Sequence, residues 1–154
     1  MDVRDALLQR INQRIMRARE AFDRFDDASA EREMVGLKWN VRDLAGHLLF
    51  WANEGTKQIP ALTAGGELPD YDLDGINEKT CQKNRRMSFV VLRQQLREAE
   101  ERLLRAVSSV PPHLLRNETP VRQAVDGFAI AHYEHHWPGL RTAVARLSGE
   151  AARL

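Results

Sequence analysis

Five histidines stand in the 154-residue sequence, and four of them fall in two short stretches. One is His47, in Val41-Arg42-Asp43-Leu44-Ala45-Gly46-His47-Leu48-Leu49-Phe50-Trp51. The others are His132, His135 and His136, in Ala131-His132-Tyr133-Glu134-His135-His136-Trp137. Both stretches read as helix. Residues four apart on a helix project side by side, so His132 and His136 can turn their imidazole nitrogens onto one ion. Neutral imidazole is a good ligand for zinc, nickel and similar divalent metals. A third imidazole from a neighbouring helix would leave positions open for water or substrate, as catalytic sites do. A plainer use fits the same residues: polar rings at the edge of a core, hydrogen-bonded to polar neighbours, since buried polar groups need partners in either case.

Several other residues have a place around these rings. His47 lies at the edge of its apolar stripe, with Asp43, Trp51 and Glu54 at i−4, i+4 and i+7. A carboxylate so placed can act as a base or hold an imidazole in orientation. Glu54 is the preferred candidate because it shares the His47 side of the helix; Asp43 and Glu134 are the others. Trp51 and Trp137 either wall a pocket or pack in the core. On a helical wheel His135 falls roughly 80° off the His132–His136 face, and Tyr133 points away from its centre, so neither is given a role. His113 reads as a surface loop residue. Cys81 is the only cysteine, which excludes an internal disulfide and a cysteine metal site and suits a reducing cytoplasm. Nothing near it would activate a thiol nucleophile.

Helices must carry these residues. Leu8, Ile11, Ile15, Ala18, Phe22 and Phe25 step by three and four, which predicts a first helix from about Asp2 to Phe25. Asp26 to Ala30 is polar and leads into a loop through Gly36. Asn40 is a good N-cap, with Asp43 in the first turn and Trp39 and Leu44 spaced as a hydrophobic staple. The second helix should run to about Ile59 and end at or just beyond Pro60, with Val41, Leu44, Leu48, Trp51, Ala52, Gly55 and Ile59 buried. A third region begins at Asp72 to Asp74 and resumes after Ser88, read as a long helix with a bend or short break near Met87-Ser88. Its second half repeats Phe89, Leu92, Leu96, Ala99, Leu103, Ala106 and Val110 before Pro111-Pro112 stops it. The last helix starts after Thr119-Pro120 and runs to about Leu147, with Gly149 beyond its end. His132 and His136 fall near the centre of its apolar face, and Pro138 predicts a kink just after them. This is an all-α pattern, and a single up-down helical bundle is its default architecture.

Composition narrows the function. The chain is 43% hydrophobic and 29% charged, a soluble globular balance over one domain, residues 1–154. With 23 Lys+Arg against 22 Asp+Glu there is no electrostatic reason to expect nucleic acid. No apolar run nears the ~20 residues needed to cross a bilayer, and the charged N-terminus is unlike a signal peptide. A cytoplasmic protein without nucleic-acid or membrane partners is the expectation.

The run from Trp39 to Trp51 resembles the W-x-v-x-D-l-x-a-H-l-x-x-W signature of the DinB/YfiT-like four-helix-bundle superfamily, and His132 to His136 resembles its late H-x-x-x-H. Asp74-Gly75-Ile76-Asn77, followed by Ser88 to Leu104, is similar to the third helix of its ClbS/DfsB and maleylpyruvate-isomerase-like branches. The resemblance implies an up-down-down-up four-helix bundle, often a homodimer. It implies a three-histidine site for a divalent metal ion, zinc or nickel, at His47, His132 and His136. The implied chemistry is hydrolysis of an electrophilic small molecule, or transfer or isomerisation using a low-molecular-weight thiol. The isomerase branch normally carries a further C-terminal domain, for which this sequence has no room. The alternative is a non-enzymatic, stress-related binding or sequestering bundle whose metal is structural or absent.

Overall fold

A computed structural model describes the backbone of residues 1–153 and the side chains of residues 1–149. The described residues form helices and connecting turns, with no strand beyond an isolated antiparallel bridge between Met34 and Asn40. The helices are α1 (Val3–Phe22), α2 (Asp27–Arg32), α3 (Val41–Thr63), α4 (Leu73–Asn84), α5 (Phe89–Ser108), α6 (Pro120–Val125) and α7 (His132–Arg153). A 3-10 turn spans Pro112–Leu115, and a π-helical turn, Asp126–Ala131, joins α6 to α7. None of these helices is long and apolar enough to cross a membrane.

Helix α1 starts on Asp2, whose carboxylate accepts from the Asp5 N–H, and buries Leu7, Ile11, Ile15, Ala18, Ala21 and Phe22. Leu7 takes the core position expected of Leu8, which packs only at the margin. The polar stretch after it is not simply a loop. Asp26 and Ser29 form a reciprocal capping box that nucleates the six residues of α2.

Helix α3 is organised by the same device. The Asn40 side chain accepts from the Asp43 N–H at 2.8 Å, and the Asp43 carboxylate accepts from the Asn40 N–H at 3.2 Å. The whole expected stripe from Val41 to Ile59 is buried. The helix ends just beyond Pro60, as expected, running about one further turn to Thr63. Proline costs the Thr56 carbonyl its partner, while the extra turn buries Leu62, worth on the order of 2 kcal/mol.

The bend or short break expected near Met87-Ser88 is a break that leaves two helices. Helix α4 ends at Asn84, and Ser88 caps α5 afresh by accepting from the Val91 N–H. The apolar lapse over 82–86 is therefore a break, not a bend. Helix α5 packs along α3 and α1, with Phe89, Leu92, Leu96, Ala99, Leu103 and Val107 fully enclosed. Thr119 caps α6, its side chain accepting from the Arg122 N–H, and Pro120 is the first helical residue. The final helix runs past Leu147 and through Gly149 to Arg153.

The π-helical turn before His132 was not legible in the sequence. One extra residue per turn shifts the phase of everything that follows it. Ala129, Ile130, Tyr133, Leu140 and Ala143 occupy the buried centre of this face, and His132 and His136 are half-buried at its edge beside α3. Tyr133, expected to point away, is among the most enclosed residues of the helix.

Candidate metal centre

His47 projects from the second turn of α3 and is buried; His132 and His136 come from the first turns of α7. Their Nε2 atoms converge. His47 Nε2 lies 3.2 Å from His132 Nε2 and 3.2 Å from His136 Nε2. All three ring nitrogens lie within 4.8 Å of one another, a group able to hold a metal ion. Zinc–nitrogen bonds of about 2.0–2.1 Å at a tetrahedral centre put nitrogens about 3.3 Å apart, so the cluster fits one ion.

The electrostatics agree with that fit. Burial, reinforced by the neighbouring rings His132 and His136, pushes His47 down to about 3. Burial pushes His132 down to about 4, and burial together with His132 does the same to His136. All three are neutral at neutral pH, with lone pairs available. Three neutral rings cannot satisfy one another at a shared nitrogen, because each Nε2 is either a donor or an acceptor. A cation at their centre resolves this. Among the described residues, the buried Nδ1 atoms of His47 and His132 have no hydrogen-bond partner.

Trp39 closes one side of the cluster. Its ring centroid is 4.4 Å from that of His47 and 5.8 Å from that of His136. The staple motif gave it a packing role on Leu44, but no sequence signal placed it over the histidines. The loop carrying it is held by the Val35 N–H donating to the Trp39 carbonyl, and by a close approach of that loop to α7 at Gly139. Trp51 stands on another side, 5.7 Å from His132 between ring centroids.

The other candidates lie further out. Asp43 caps α3 and faces Arg85 at 3.7 Å. Glu134 pairs with Arg14 at 2.7 Å on the surface. Glu54 accepts a 2.8 Å hydrogen bond from the Tyr71 hydroxyl. Burial and that carboxylate raise Tyr71 well above the ordinary phenol range, keeping the hydroxyl protonated. Trp137 lies under the Arg17 guanidinium, 4.2 Å from the ring centroid, rather than beside the histidines. His135 is exposed and edges onto His136. Cys81 is half-buried, and burial, with Asp43 beside it, pushes its thiol up, the opposite of activation.

Beside the cluster opens a cavity of about 660 Å³ that reaches His47 and His132. Tyr71, Asn77 and Gln123 bring polar groups to its wall, and Trp51 and Phe128 bring rings. Trp51 Nε1 donates to Asn77 Oδ1 at 3.2 Å. The loop after α3 and the first turn of α4 supply one flank, and α6 with the π-helical turn supplies the other.

Comparison with known families matches the chain to the mycothiol maleylpyruvate isomerase N-terminal domain, over residues 8–137. The chain belongs to this family. The matched stretch contains His47, His132 and His136, as well as the loop and helices that enclose them. It is a DinB/YfiT-like branch, in keeping with the Trp39–Trp51 and His132–His136 signatures. No curated protein matches the chain.

Proposed function

We propose that this protein is a metal-dependent enzyme acting on a small molecule, either a hydrolase or a transferase or isomerase that uses a low-molecular-weight thiol. The observation that carries the reading is the convergence of three neutral imidazole nitrogens, two pairs of them 3.2 Å apart, beside a cavity that His47 and His132 line. The family's name, mycothiol maleylpyruvate isomerase, favours the thiol branch. We further take the chain as one domain with the up-down-down-up bundle topology of its superfamily.

His47, His132 and His136 would hold a divalent ion, zinc or nickel. Bound there, such an ion supplies Lewis acidity towards a carbonyl and lowers the pKa of a coordinated water or thiol. The protein's own groups do the rest. The rings of Trp39 and Trp51 exclude bulk water and so sharpen every charge interaction inside. Glu54 is the proposed base. It reaches the cavity through Tyr71, whose hydroxyl already donates to it, so a proton leaving a ligand at Tyr71 has an acceptor behind it.

Metal analysis of the purified protein tests the reading. About one equivalent of zinc or nickel is expected, lost in His132→Ala and retained in His135→Ala. Less than about a tenth of an equivalent, with no gain on adding either metal, would leave a non-enzymatic binding bundle. Equal effects of the two substitutions would overturn the assignment of ligands.

A further inference from the structure

The cavity beside the histidines has an uneven chemistry. Trp51, Tyr71 and Phe128 give it three aromatic walls, and Leu62 closes the α3 side. Its polar side chains, apart from the two imidazoles, the Tyr71 hydroxyl and the Glu67 carboxylate, include the neutral carboxamides of Asn77 and Gln123. The Trp51 indole takes up the Asn77 carbonyl oxygen, leaving the amide nitrogen as the donor. Among the described residues that line the cavity there is no lysine or arginine, and the single ionised side chain is the carboxylate of Glu67, on the exposed loop at its mouth. Leu68 and Leu73 stand at the same mouth 44% and 53% exposed, apolar surface that a bound molecule would cover.

A dicarboxylate entering here would give up hydration at two charges and find no guanidinium or ammonium in return, with Glu67 repelling it at the mouth. Sites built for carboxylates use such cations, arginine above all, because its fork pairs both oxygens. A ring-bearing, uncharged molecule has the opposite balance: it packs against three aromatic side chains and needs only one or two neutral hydrogen bonds. We propose that this cavity takes an uncharged, ring-bearing small molecule with a single metal-seeking or hydrogen-bonding head, and discriminates against dicarboxylates. The proposal deepens the metalloenzyme reading and rests on it for the position of the head group. The specificity itself is a property of the cavity walls.

The test compares two thiols on the cobalt(II)-loaded protein: benzyl mercaptan, neutral with a ring, and mercaptosuccinate, with two carboxylates. Thiolate-to-cobalt absorption reports binding of each. Benzyl mercaptan is expected to bind about tenfold or more tightly than mercaptosuccinate, and Phe128→Ala to weaken it severalfold without changing mercaptosuccinate or cobalt affinity. Gln123→Lys, at an exposed position that leaves the core intact, is expected to tighten mercaptosuccinate severalfold. Equal or tighter binding of mercaptosuccinate to the unaltered protein overturns the proposal, as does a Gln123→Lys variant with no gain. If cobalt does not bind, the metal reading fails on its own, and tryptophan fluorescence with benzyl alcohol and succinate decides the cavity. A response to benzyl alcohol alone supports the proposal; a response to succinate, or to neither, overturns it.

Discussion

At the scale of single residues, burial is what turns ordinary side chains into special ones. The same removal from water that keeps the three imidazoles neutral acts on Glu100 of α5, which is 2% exposed. Burial pushes its carboxyl up to about 7, although the Tyr133 hydroxyl and Arg19, at 3.4 Å, favour the ionised form. In the unfolded chain this proton leaves near the ordinary carboxylate value of 4.5. Between there and about 7 the folded protein therefore binds the proton more tightly than the unfolded one, and stability falls as pH rises through that window. A loss of about 3 kcal/mol across the window is the scale expected. Glu100→Gln keeps the shape and the acceptor for Tyr133, so denaturation from pH 4.5 to 8 should show a flatter stability profile than the unaltered protein. An unchanged slope would assign the dependence to another group. The sequence does not single out Glu100, because a glutamate among α5's acids looks solvated, and it turns Tyr133 outward because a helical wheel assumes uniform turns.

At the scale of elements, the site is built where two helices and one loop meet at backbone distance. Gly139 is the clearest case. A Cβ there would stand 2.0 Å from the Val35 carbonyl oxygen, a backbone atom that cannot swing aside. The loop at Val35 is paired to Trp39, and Trp39 lies on His47 and His136. Gly139→Ala should thus cost about 1–3 kcal/mol in stability and weaken metal binding by displacing Trp39, measured by thermal denaturation and metal titration. A variant as stable as the parent, with the same metal affinity, would mean the loop does not position the ring. The element signals that were readable are the caps. Asn40 with Asp43, Ser88 and Thr119 all mark helix starts, because a side chain that satisfies an orphan N–H is a local event. Pro60 marks the end of α3 to within three residues, and the burial of Leu62 outweighs the one missing hydrogen bond.

At the scale of the whole molecule, an ion at the three histidines would tie α3 to α7. Only the folded chain brings these rings together, so metal binding and folding stability are linked. With free metal at about a thousand times its dissociation constant, the folded state should gain about 4 kcal/mol, a rise in Tm of roughly 10 °C for a chain of this size. Scanning calorimetry with and without zinc checks this, with His47→Ala as the control that should show no rise. A rise retained in His47→Ala would place the ion elsewhere.

The sequence by itself determined the all-helical class, most helix starts, the stripe of α3 and the three imidazoles worth bringing together. The first three follow from periodicity and capping, which act over a few residues; the set of three imidazoles follows from the resemblance of the Trp39–Trp51 and His132–His136 motifs to the DinB/YfiT-like superfamily. Only the tertiary structure decided that Trp39 covers the histidines, that Tyr133 faces Glu100, and that the cavity beside the site has aromatic and amide walls without a cation. Those facts depend on a π-helical phase shift, a glycine-permitted backbone contact and residues far apart in the chain meeting across the helix interfaces. Long-range packing of this kind leaves no trace in local sequence patterns.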